Sequence, residues 1–116
     1  MNVDFYTLGL SLIFMHEMDA IRCYEWRILP ITSFLEDKTG MIVFIFLHVP
    51  LFYLLLLPSI SQSVAFKTGF SIFLIIHFFL HLLFLFHKKN AFRDWVSWSI
   101  ITGAGICGAL YLQLTL

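Results

Sequence analysis

Histidine and carboxylate side chains fall where this chain ought to be most apolar. The run from Phe5 to Met15 is apolar and passes directly into His16, Glu17 and Asp19. A bilayer-crossing helix needs about 20 residues at ~1.5 Å each, so the span cannot end before this group. Ionisable residues at such depth cost free energy and are read first as a functional site. Later in the chain, His77 and His81 stand at i and i+4 inside another apolar run. That spacing puts both imidazoles on one face of a helix, where they can share an ion. His48 lies just before Pro50, and a proline within a helix frees a carbonyl and kinks the backbone. Kinked backbone at membrane depth lines cavities.

Spacing around the first helix separates its polar residues. His16 and Asp19 are about 60° apart and share a face, whereas Glu17 points about 100° away from His16. Asp19 is therefore a candidate ligand, or the group that orients one. Its bland alternative is an ion pair with Arg22, three residues on. For His48 the bland alternative is a hydrogen bond to a neighbouring carbonyl. Depth connects the set: His16 is roughly 9 Å along its helix from Arg22, His48 roughly 10 Å from Met41, and His81 roughly 9 Å from His87. Three helices thus carry imidazoles at a common level, and His87, beside Lys88 and Lys89 at the boundary, falls outside it.

Neutral imidazoles with a carboxylate suit a divalent transition metal, zinc foremost, better than magnesium or calcium, which prefer oxygen. The expected ligands are His16, Asp19, His48, His77 and His81. Zinc on three histidines with an open position activates water, and Glu17 is then the expected general base. A site in the lipid layer favours a lipid-like substrate. The zincin pattern HExxH is absent, because Ala20 stands four residues after His16. A di-iron carboxylate bundle is also disfavoured, since the later spans contain no Asp or Glu. Three other functions stay open: a haem-binding electron carrier, a proton or metal-ion transporter, and a non-catalytic membrane partner locked by polar contacts.

The elements that must position these residues are membrane spans. The 116 residues are 60% hydrophobic and only 12% charged, and the mean hydropathy is +0.92, well outside the range of soluble domains. The formal net charge of zero gives no reason to expect nucleic acid. Length and punctuation predict an all-α, four-helix transmembrane bundle forming a single domain, with spans at about 3–22, 41–57, 69–86 and 95–114. The connection 23–40 mixes aromatic, aliphatic and charged residues, as an interfacial segment would, and Pro30 stops any helix continuing from the first span. Arg22, Arg27 and Lys38 sit at the first connection and Lys88, Lys89 and Arg93 at the third, against Lys67 alone at the second. That asymmetry predicts both termini outside the cytoplasm. No Lys or Arg precedes Arg22, so the first segment does not read as a cleavable signal.

Smaller features read as packing. Cys23 and Cys107 lie at different depths and are not expected to pair. Gly103, Ala104, Gly105, Gly108 and Ala109 form small-xxx-small pairs in the last span, suited to close helix packing within the chain or in a homo-oligomer. Trp95 and Trp98 read as interfacial anchors.

Two resemblances follow from these residues. A histidine on one helix with HxxxH on another resembles the intramembrane zinc amidases of the alkaline ceramidase and adiponectin-receptor type. With His16 or His48 in the first role and His77 and His81 in the second, that resemblance implies hydrolysis of a lipid amide. Those proteins are seven-helix bundles, so the likeness covers the ligand set and not the fold. Over the whole chain, size, hydropathy and later histidines resemble the small bacterial membrane proteins named for an N-terminal HXXEE motif. Here the motif runs from His16 to Ala20, with Asp19 in place of the first acid and Ala20 in place of the second. This second resemblance implies a helical bundle in the bacterial inner membrane and supplies no reaction.

Overall fold

A computed structural model describes residues 2–116, and every regular element among them is helical. Four helices are long: α1 Phe5–Arg22, α2 Asp37–Leu56, α4 Val64–Phe84 and α5 Trp95–Thr115. A single-turn helix, α3 Pro58–Ser61, links α2 to α4, and a 3₁₀ turn covers Glu25–Arg27. Three of the long helices, α2, α4 and α5, are long and apolar enough to cross a membrane. The 18-residue α1 carries Glu17, Asp19 and Arg22 in addition to its apolar residues.

Side-chain caps explain where three helices begin. Asp4 accepts from the Thr7 backbone N–H at 3.0 Å, Ser63 from Phe66 at 3.3 Å and Asp94 from Ser97 at 3.0 Å. Each oxygen satisfies one of the N–H groups that a first helical turn leaves free. The second helix starts at Asp37, earlier than the apolar run alone indicated, because Asp37 is tied down from the preceding connection. Its carboxylate accepts from Trp26 Nε1 at 3.0 Å and from Arg27 Nε at 2.7 Å.

Helix α5 packs along both α1 and α4, and its small residues permit that approach. A Cβ at Gly108 would run into the Ser71 carbonyl of α4, one at Gly105 would touch Phe78, and one at Gly103 would touch Leu12 of α1. The small-residue pairs of the last span are thus used within the chain. Helix α2 stands apart by comparison, with only Gly40, Phe44 and Leu55 buried along its length. Its remaining surface is the apolar side chain a lipid-facing helix presents, Phe46, Val49 and Tyr53 among them.

The apolar core has two parts. One gathers Ala20, Cys23, Trp26, Phe44, Phe92 and Ile101, and the other Tyr6, Ile13, Leu55, Phe70, Leu74 and Ala104. His16 follows Ile13 and precedes Ala20 on α1, and His77 and His81 follow Leu74 on α4. The histidine layer therefore separates the two parts of the core.

Candidate metal centre

Three consecutive directions around α1 lead to three different neighbours. His16 faces α4, Glu17 faces α2, and Asp19 faces α5. The departure of Glu17 from His16 is the one expected from the helix repeat, whereas Asp19, expected to share the face of His16, meets a different helix.

The first group is the histidine layer. His77 Nε2 lies 3.1 Å from His16 Nε2 and 3.2 Å from His81 Nε2. One ring nitrogen from each of the three residues lies within 4.8 Å of the others, and all three residues are buried. Two tetrahedral Zn–N bonds of ~2.0–2.1 Å subtend an N···N edge of about 3.3–3.4 Å, close to both spacings. Glu25 joins the same point: its Oε2 lies 3.1 Å from His16 Nε2 and 3.9 Å from His81 Nε2.

Hydrogen bonding alone does not account for this convergence. A neutral imidazole carries one N–H, so His16 Nε2 cannot donate to His77 and Glu25 at once. The outer Nδ1 atoms of His16, His77 and His81 are buried with no hydrogen-bond partner among the described residues. Leaving a buried polar atom unpaired costs about 1–3 kcal/mol. A cation at the point where the Nε2 atoms and Oε2 meet satisfies all four inward atoms together. Metal-bound imidazoles usually donate their outer N–H to a carboxylate or carbonyl, and here aromatic packing orients the rings in its place. Phe92 stacks on His16 with centroids 5.4 Å apart and meets His81 edge-on at 4.7 Å, while Phe73 lies 5.6 Å from His77.

Glu25 reaches the layer through a chain reversal. Helix α1 ends at Arg22, and Tyr24 then adopts a left-handed conformation with φ of 55° and ψ of 46°. Glycine is the usual residue at such a helix end, and a side chain there costs roughly 1–2 kcal/mol. The turn folds Glu25 back against His16. Arg27 lies over the Tyr24 ring at 4.0 Å and helps hold the strained residue. In the sequence Glu25 is one of the charges of the connection 23–40, which reads as an interfacial segment, and a tyrosine gives no sign of a left-handed turn. Phe92, fully buried within a connection rich in basic residues, was missed for the same kind of reason.

Asp19 is not brought to the histidines. It accepts from Arg22 Nε at 2.7 Å and from Ser97 Oγ at 2.5 Å, and Arg22 also pairs with Asp94 at 2.8 Å. This network clasps the end of α1 to the start of α5, so the ion-pair alternative for Asp19 describes its place. The Arg22 guanidinium and the Ser97 backbone N–H hold the Asp94 carboxyl well below the usual carboxylate range. Cys23 and Cys107 are both free, and both are buried.

His48 is also outside the layer. Its Nδ1 donates to the Phe44 carbonyl at 2.6 Å, the bland alternative, and its Nε2 is hydrogen-bonded to Glu17 Oε2. Glu17, the expected general base, thus pairs with His48 across the gap between α1 and α2. His87, as expected, is exposed and merely accepts from the Lys89 backbone N–H at 3.1 Å.

The chain's family membership follows from its sequence as a whole. A family profile described as a family of unknown function, DUF6713, matches residues 3–116. The chain belongs to that family. No curated protein and no solved structure matches it.

Proposed function

We propose that this chain is a four-helix membrane protein that holds one divalent transition-metal ion, zinc foremost, on His16, His77 and His81, with Glu25 beside it. The observation that carries the reading is the convergence of three buried imidazoles, with His77 Nε2 3.1 Å from His16 Nε2 and 3.2 Å from His81 Nε2, and with the Glu25 carboxylate 3.1 Å from His16 Nε2. Nitrogen ligands and the low count of carboxylates favour zinc over magnesium or calcium. The long axis of 45 Å matches a bilayer of about 40–45 Å including its headgroup regions. Six basic residues at the first and third connections against one at the second support both termini outside the cytoplasm. The resemblance to HXXEE-motif proteins supports a bacterial inner membrane.

The reaction class this arrangement favours is hydrolysis of a lipid-like substrate. The ion would supply Lewis acidity within an apolar layer. Glu25, at the edge of the same sphere, is placed to take a proton and return it, the role expected of Glu17. Glu17 belongs in this reading to the α1–α2 gap. A haem carrier fits less well, since the 3.1 Å separation of His16 and His77 leaves no space for a macrocycle between them.

Metal analysis of protein purified in detergent tests the reading. Wild type is expected to carry one zinc per chain, or after cobalt substitution to show the visible absorption of a tetrahedral site. His81→Ala is expected to lose most of that metal and His87→Ala to retain it. Equal retention by the two variants would overturn the ligand set, and a Soret band in place of zinc would indicate haem.

A further inference from the structure

The gap between α1 and α2 holds a second polar site with different chemistry. A cavity of about 380 Å³ is lined by Phe14, Met18, Phe44 and Phe52 together with Glu17 and His48. A second cavity of about 480 Å³ lies between α1, α2 and α4, lined by residues such as Ile13, Leu51, Phe66 and Phe73, and it reaches Glu17 again. Both volumes lie in the range of small-molecule sites. Glu17 therefore stands between two apolar chambers as their shared polar group.

The hydrogen bonds of the pair leave one acceptor free. Phe44 O only accepts, so His48 Nδ1 must carry a proton. His48 Nε2 and Glu17 Oε2 then hold a single proton between them. Among the described residues nothing donates to Glu17 Oε1, although Glu17 is only 15% exposed. In a lipid layer no water is at hand to satisfy it. A groove at the lipid-facing surface, rimmed by the exposed side chains of Met18 and Val49, is filled from the bilayer by hydrocarbon.

We infer that this groove binds a single-chain amphiphile whose head donates a hydrogen bond, an amide N–H or a hydroxyl, to Glu17 Oε1, with its tail along α2. The site is separate from the histidine layer and needs no ion. An imidazole on one side of the carboxylate leaves the other oxygen for the ligand.

Native mass spectrometry of the intact protein, given oleamide and methyl oleate in equal amounts, tests the inference. The probes share a chain and differ in that only the amide donates. Wild type is expected to prefer oleamide by about tenfold or more, the scale of a hydrogen bond to a charged acceptor. Glu17→Leu is expected to abolish the preference, and Val49→Trp, at the groove rim, to reduce binding of both probes. Equal uptake of the two probes by wild type, which depends on no variant, would overturn the proposal, and so would an unchanged preference in a folded Glu17→Leu protein. Zinc measured in the same samples separates the two readings. Zinc without preference removes this inference alone, and preference without zinc removes only the metal reading.

Discussion

His16 and Glu17 are neighbours in sequence, and each meets an imidazole from another helix, yet the two surroundings differ in kind. His16 is fully buried in a layer where ring nitrogens converge and several have no partner. Glu17 and His48 make a satisfied pair, 15% and 17% exposed, beside open apolar space. Converging inward nitrogens, with one N–H per ring, are what the proposed ion would satisfy, whereas the partnerless outer Nδ1 atoms lie away from it. A satisfied pair with one free acceptor and room beside it calls for a molecule. Residue type alone does not distinguish these outcomes, because both sites are built from histidine and carboxylate. The packing of α5 against α1 and α4 closes the first site, and the looser placement of α2 leaves the second open.

The strongest way to break this comparison is to remove one histidine from each site. His77→Ala takes away the nitrogen that lies between the other two, and bound metal is expected to fall by more than the ten- to hundredfold typical of losing an outer partner. His48→Ala is expected to leave metal content near that of wild type. Competition with a chelator, followed by metal analysis, reads both. If His48→Ala were as damaging as His77→Ala, the two sites would be one.

Two glycines test the packing half of the comparison. At Gly108 a methyl group meets the Ser71 carbonyl and Leu74, so Gly108→Ala must push α4 and α5 apart, at a cost of about 1–3 kcal/mol. Gly69 lies on α4 beside the second cavity, and a Cβ there meets nothing within 4 Å. Gly69→Ala should be neutral or stabilising by up to about 1 kcal/mol, through lower backbone entropy in the unfolded chain. Unfolding in mixed micelles measures both variants. Opposite signs would confirm that the α4–α5 seam is closed and the groove is open.

Much of this was legible in the sequence. Apolar run lengths marked the long helices, HxxxH marked the α4 face, and the 100° step from His16 to Glu17 separated their directions. The alternatives for Asp19 and His48, an ion pair and a carbonyl contact, were legible from local spacing as well. Helical periodicity gives the direction of a side chain and not the neighbour it meets, so His48 at the right depth was grouped with histidines it does not touch. Glu25 was hidden for a different reason. Its position depends on one left-handed residue, Tyr24, held by contacts formed only in the folded chain.

The smallest expected effect concerns what keeps the closed region closed. Arg22 bridges Asp19 on α1 and Asp94 at the start of α5, whereas among the described residues α2 meets α1 through no comparable ion-pair network. Asp94→Asn isolates the charge, because asparagine still caps a helix. The Asp94 carboxyl is held below its ordinary value by Arg22, so its stabilisation is fully present above the unfolded pKa of about 3.9. It drains away as pH falls through the folded value. At neutral pH the variant should show a small fall in Tm, since the pair is solvent-exposed and screened. Below about pH 4 the difference between variant and wild type should shrink, because the unfolded chain then takes up a proton at Asp94 before the folded carboxyl does. Metal content and amphiphile preference should both stay unchanged at neutral pH. A large loss of metal in Asp94→Asn would mean that the clasp sets the geometry of the histidine layer, and that the closed region depends on its rim as much as on its seam.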